Sequence, residues 1–297
     1  MPRRLSAPAP VLVLAAVASV QSGAAVATRL FPEVGPLGTV LLRLVLSALI
    51  LLCFARPTLR GRARADLAWG MAYGVALGGM NATFYEALSR IPLGVAVTFE
   101  FVGPLAVAVL GSRRLLDLVW VALAGAGVAL LTTGGSGGLD GVGVVMALVA
   151  GGFWAAYILL AQRVGRVFPG ASGLTFALVV ASVVIAPFGI AAAGSKLWHA
   201  GVFARGAAVA VLSSAVPYSL ELFALRRMRA PVFGVLMSLE PAMAALSGLL
   251  FLGQHLRPRE WAAVVCVMVA SIGATRRASP DEQPVEPGAT PTEVLVP

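Results

Sequence analysis

Four charged side chains stand inside long apolar runs of this chain, namely Arg43, Glu100, Glu221 and Glu240. Charge within a hydrocarbon layer is costly, so such residues are expected to face a polar cavity or a partner and to take part in function. An arginine keeps its proton and needs an anion, whereas a carboxylate can hold a proton or release it. Together the two types can bind both ends of a zwitterion or move a proton. Arg43 and Glu100 each lie about eight residues inward from the same end of their runs, so at roughly 1.5 Å per residue they share a depth and are expected to pair. That pair is expected either to gate a vestibule or to bind a substrate carboxylate, with Glu240, near the middle of its run, as the proton-coupled acid. A protonated Glu100 that merely ties two helices together is the alternative reading. Other polar groups keep helical spacing with these charges. Asn81 and Tyr85 continue a stripe from Gly74 and Gly78, Tyr218 and Glu221 follow Ser214, and Trp154 and Tyr157 are three apart. For the aromatics, packing near a membrane interface is an equal reading.

The composition fixes the setting for these residues. Hydrophobic residues make up 59% of the 297 positions and charged residues 12%, with a mean hydropathy of +0.92. This is the composition of a polytopic membrane protein and not of a soluble domain. The net charge of +9 does not point to nucleic acid, because the arginines sit in short clusters between apolar runs. Cys53 and Cys266 lie inside apolar runs without disulfide or metal spacing and read as packing residues. His199 and His255 both fall in loops, so no metal site is expected, and nothing in the pattern calls for a cofactor.

Roughly twenty apolar residues cross a bilayer as a helix. On that measure the chain predicts ten spans, at 10 to 29, 36 to 55, 67 to 87, 92 to 110, 117 to 133, 141 to 161, 172 to 192, 202 to 223, 231 to 251 and 259 to 275. The runs are continuous and do not alternate, which favours helices over a barrel. Fifteen basic residues fall in loops on one side and six on the other, which predicts both termini in the cytoplasm. Arg3, Arg4 and the apolar run behind them could be a cleaved signal peptide, but the repeat described next gives this first helix a counterpart, so it is expected to be retained.

Shifting the chain by 137 residues aligns RLFP at 29 to 32 with RVFP at 166 to 169, Arg90 with Arg227, and Pro104 with Pro241. Each copy holds five spans, and an odd number inverts the second copy in the membrane. The expected fold is therefore an all-α polytopic membrane protein of ten transmembrane helices in two inverted five-helix repeats, at 1 to 135 and 136 to 277. Such proteins bind their solute near the midplane, between the repeats. The Gly-rich link TTGGSGGLDG at 132 to 141 reads as the joint between the halves. Its G-x-S-x-G pattern at Ser136 lacks the strand and histidine that a nucleophile elbow needs. The proline-rich stretch at 278 to 297 is expected to be a disordered cytoplasmic tail.

The residues LGGMN at 77 to 81, PLGVAV at 92 to 97, EFVGPLAVA at 100 to 108, SRR at 112 to 114, PYSLE at 217 to 221 and LMSLEPA at 236 to 242 resemble the drug/metabolite transporter superfamily, EamA type, over about 10 to 275. The resemblance implies ten helices around a central cavity. It also implies export of small neutral amino acids of the threonine and homoserine kind across the bacterial inner membrane, in exchange for protons. A broad-specificity metabolite or drug exporter is the alternative within the superfamily. An enzyme or a signalling protein is not expected, because the chain shows no catalytic constellation and no soluble output domain. One departure stands out, since the family commonly has Glu where this chain has Gln254 after Leu252-Gly253.

Overall fold

A computed structural model describes residues 8–57, 59, 61–110, 117–132, 139–225, 227, 228 and 230–277. The link around Ser136 and the proline-rich tail lie outside the described residues. Among the described residues there is no strand. In chain order the helices are α1 (Ala9–Thr28), α2 (Phe31–Phe54), α3 (Arg64–Leu88), α4 (Leu93–Glu100), α5 (Val102–Leu110), α6 (Asp117–Thr132), α7 (Gly141–Val167), α8 (Ser172–Ala193), α9 (Ala200–Ala210), α10 (Val216–Leu225), α11 (Ala230–Met237), α12 (Glu240–Leu252) and α13 (Pro258–Arg277). A short 3₁₀ turn, Gly194–Trp198, follows α8, and a π-helical stretch, Val211–Ala215, joins α9 to α10.

Each of the ten predicted stretches falls on one helix or on helices meeting end to end. Among the described residues six segments are long and apolar enough to cross a membrane: Ala9–Thr28, Phe31–Phe54, Leu93–Leu110, Gly141–Val167, Ser172–Trp198 and Val232–Leu252. The outward faces agree with that, for Phe54, Leu110, Val183 and Leu250 are all largely exposed. A lipid-facing surface can carry such residues at no cost. Cys53 is exposed as well, at the end of α2, and does not pack as the sequence suggested.

Two of the predicted rods are broken, and prolines account for both. Pro104 has no N–H for the Glu100 carbonyl, and Pro241 has none for the Met237 carbonyl, so the helical ladder is interrupted one turn before each proline. The chain turns at Phe101 between α4 and α5, and at Ser238 and Leu239 between α11 and α12. Pro217 stands in the same relation to the π-helical stretch before it.

α3 lies between α7 and α8; α2 packs on α8, α6 on α13, α1 on α10 and α12, α4 on α12, and α5 on α7. Small residues allow the tightest of these contacts, because lipid offers no hydrophobic drive and close packing must supply the attraction. The stripe Gly70, Gly74 and Gly78 faces α8, and a Cβ on Gly74 would come within 2.8 Å of the Ala177 carbonyl oxygen. Where α4 crosses α12, a Cβ on Gly94 would lie 2.7 Å from the Cα of Ala245.

Candidate functional site

Arg43 leaves α2 on the same face as Thr39 and Ser47, which bond the Gly35 carbonyl and the Ser214 hydroxyl, both at 2.8 Å. Its Nη1 donates to the Tyr85 hydroxyl at 3.0 Å, and its Cζ stands 5.5 Å from the centre of the Tyr85 ring. Tyr85 is fully enclosed and braced by Phe31, whose ring centre is 5.9 Å away. The guanidinium is thus steadied on one side and keeps donors for an anion. The ion pair expected between Arg43 and Glu100 does not form. The described ion pairs are Arg90–Glu86, Arg90–Asp140 and Arg205–Glu33.

Arg43 and Glu100 nonetheless meet across a cavity of about 120 Å³, which Gln21, Asn81, Trp154 and Glu240 also line. Six helices of different register, α1, α2, α3, α4, α7 and α12, converge there. Asn81 donates to the Leu77 carbonyl at 2.8 Å within α3. Glu100 ends α4 and Glu240 begins α12, so the two helix breaks set both acids at the level of the cavity. They are buried, and among the described residues neither carboxylate has a hydrogen-bond or ion-pair partner.

A second cavity of about 170 Å³ opens toward the other end of the bundle, between α5, α11 and α13, with Pro104, Ala108, Gly234, Ser271 and Thr275 on its walls. Trp154 and Glu240 are the described residues common to both cavities. Trp154 meets Phe101 edge-on, with ring centres 5.3 Å apart and planes at 86°. Phe101 is the residue at the α4–α5 break, so an indole, a phenyl ring and a carboxylate form the partition between the two spaces.

Other expected site residues lie elsewhere. Tyr157 stacks on Tyr73 with ring centres 4.7 Å apart and lines neither cavity. Glu221 sits in α10 and lines neither. Tyr218 belongs to α10, and its side chain lies outside the described residues. Tyr85 acts on the cavity through Arg43.

Other residues take their roles only from the structure. Gln21, in the run that resembles a signal peptide, is 4% exposed and lines the first cavity. It is the one amide in that run, and that was the available signal. Gln254 accepts the Leu93 N–H at 2.9 Å through Oε1, capping α4 from the loop after α12. Gly253 makes this possible by taking φ 65° at the end of α12, where the Gln254 N–H returns to the Gly248 carbonyl. At the same end of the bundle Arg29 donates to the Phe251 carbonyl at 2.8 Å, and Arg205 holds Glu33 through two bonds of 2.6 and 2.7 Å.

The EamA-like transporter family model matches residues 141–276. The threonine/homoserine exporter RhtA of Escherichia coli is 45% identical over 267 residues, covering 89% of this chain and 90% of that one. This chain belongs to the EamA-like transporter family. RhtA of Salmonella typhimurium is 44% identical over 276 residues, covering 92% of this chain and 93% of its own. A solved protein structure, 18% identical, superposes with a TM-score of 0.59 over 90% of this chain and 96% of that chain, a likeness of fold alone. The chain is thus a multi-pass membrane transporter of that family.

Proposed function

We propose that this transporter exports small neutral amino acids, threonine and homoserine first, from bacterial cytoplasm across the inner membrane in exchange for protons. The observation that carries the reading is the shared partition. A single carboxylate, Glu240, borders a cavity on either side of it, next to the guanidinium of Arg43 and the second acid Glu100. Arg43 takes the substrate carboxylate, and Glu240 takes either the substrate ammonium or a proton. A proton arriving from outside displaces the ammonium, and the next substrate arriving from inside displaces the proton. The relatives named as threonine/homoserine exporters supply the substrate. Cavities of about 120 and 170 Å³ suit a small solute, being below the roughly 300–1,000 Å³ of sites that hold drug-sized ligands.

The path requires two alternating arrangements, and ten spans in two inverted repeats, residues 1–135 and 136–277, with both termini cytoplasmic, provide them. The breaks at Phe101 and Ser238 support this, since they are 137 residues apart, the offset of the sequence repeat. Exchanging each helix for its counterpart also preserves most of the packing. α3 on α7 becomes α1 on α10, α1 on α12 becomes α5 on α7, and α2 on α8 and α6 on α13 map onto themselves. The exchange fails most at one contact. α4 packs on α12, but the described parts of α5 and α11, its counterpart, instead flank the second cavity. That asymmetry is what a bundle closed at one end and open at the other produces, here open to the cytoplasm.

Purified protein in liposomes preloaded with unlabelled threonine is expected to take up labelled threonine by counterflow, with homoserine competing. Absence of flux with both amino acids would overturn the reading.

A further inference from the structure

We propose that Gln21 reads the substrate side-chain hydroxyl and so selects hydroxylated amino acids over their hydroxyl-free parent. The inference rests on the amino-acid exporter reading and extends it to specificity. Gln21 comes from α1, which packs on α12, the helix that begins with Glu240. Its side chain lines the first cavity, and its Oε1 is buried with no hydrogen-bond partner. A buried acceptor left in that state costs about 1–3 kcal/mol, so its position is explained if a ligand supplies the missing donor.

The charges around the cavity decide which donor that is. The ammonium of an amino acid is drawn to Glu100 and Glu240, because bonds to ionised acceptors are roughly twice as strong as bonds to neutral ones. The substrate carboxylate is drawn to Arg43. With both charged ends assigned, the neutral amide of Gln21 remains for the neutral group of the substrate, a hydroxyl. Asn81, the other amide on the wall, donates to the Leu77 carbonyl through Nδ2, and its Oδ1 is not among the buried atoms left without a partner, so of the two amides it is Gln21 that carries the unmet acceptor. Gln21 would then hold the hydroxyl of threonine or of homoserine, and either substrate without that group is the same compound, 2-aminobutyrate. When 2-aminobutyrate binds, the Gln21 acceptor stays unpaired, which is how a site built around a hydroxyl discriminates strongly.

The test measures counterflow of labelled threonine and labelled 2-aminobutyrate in liposomes, for the wild type, Gln21→Leu and Gln21→Asn. The wild type is expected to favour threonine. Gln21→Leu is expected to reduce the threonine to 2-aminobutyrate ratio by about tenfold or more while 2-aminobutyrate flux persists. Gln21→Asn, whose amide is one carbon shorter, is expected to fall between the two. A Gln21→Leu protein that loses both fluxes in proportion, with its ratio unchanged, overturns the inference and leaves Gln21 as a packing residue or an ammonium ligand. If Gln21→Leu carries neither compound, the ratio in Gln21→Asn decides, and a wild-type ratio there overturns the inference. A wild-type protein that moves neither compound defeats the exporter reading itself, which separates the two failures.

Discussion

Replacing Glu240 by Gln keeps the size of the side chain and removes its ability to exchange a proton. Glu240 borders both cavities, whereas Glu100 borders only the first, so one carboxylate per cycle can meet both sides of the partition. One proton exchanged per substrate sets the accumulation that a pH gradient can drive. One pH unit is about 1.4 kcal/mol, which corresponds to roughly tenfold accumulation for one proton and roughly a hundredfold for two. The assay is uptake of labelled threonine into liposomes across an imposed gradient of one pH unit, with the membrane potential held at zero because the exchange moves net charge. The wild type should approach the tenfold limit. Glu240→Gln should equilibrate threonine without concentrating it, while Glu100→Gln should still concentrate it. A Glu240→Gln protein that still reached tenfold accumulation would refute the assignment. A wild-type protein that exceeded tenfold toward a hundredfold would show that a second acid exchanges as well.

Gly94→Ala places a methyl 2.7 Å from the Cα and 2.8 Å from the Cβ of Ala245. Carbon atoms pack at about 3.5–4.0 Å, so the α4–α12 crossing must open by roughly an ångström at a cost of about 1–3 kcal/mol. Cysteine probes placed between those helices should react faster in this variant, and unchanged labelling would count against a gate there. Gln254→Ala leaves the Leu93 N–H without its partner and should lower thermal stability, by about 1 kcal/mol, whereas Gln254→Glu retains an acceptor and should not. Equal melting temperatures for the two variants would remove the capping role. Asp140 caps α7, and the Gly143 N–H, the Val142 N–H and Arg90 hold its carboxyl below the ordinary aspartate value. A depressed value means that the stabilisation is complete above the unfolded value, about pH 4, and is lost as the pH falls through the folded one. The difference in melting temperature between wild type and Asp140→Ala should therefore be constant near neutrality and shrink below about pH 4. A difference that grew with acid would contradict the cap.

The charges in the apolar runs were legible from residue type alone, and Arg43, Asn81, Glu100, Trp154 and Glu240 do meet around one cavity. Their pairing was not legible. Equal depth suggested that Arg43 and Glu100 touch, but depth fixes only the coordinate along a helix, and rotation about its axis follows from packing. α3 presents Tyr85 to the guanidinium first. Trp154 and Tyr157 show the same limit, since three residues apart on α7 one meets the partition and the other meets Tyr73. Gln21 gave too weak a signal because an uncharged amide in an apolar run costs little by itself, and only the enclosing helices leave its oxygen without a partner.

The membrane class and the approximate helix limits followed from the sequence by itself, because apolar length and the need to satisfy every backbone group within a helix are local properties. The two prolines 137 residues apart fix the helix breaks locally, since a missing N–H acts on its own preceding turn, although both spans were expected to run through them unbroken. What only the tertiary structure decided was which breaks and faces come together: α4 closing on α12 while α5 and α11 flank a cavity, and Glu240 standing where both cavities reach it. Those arrangements depend on close packing between helices distant in the chain, and no periodicity within one helix encodes the neighbour it will meet.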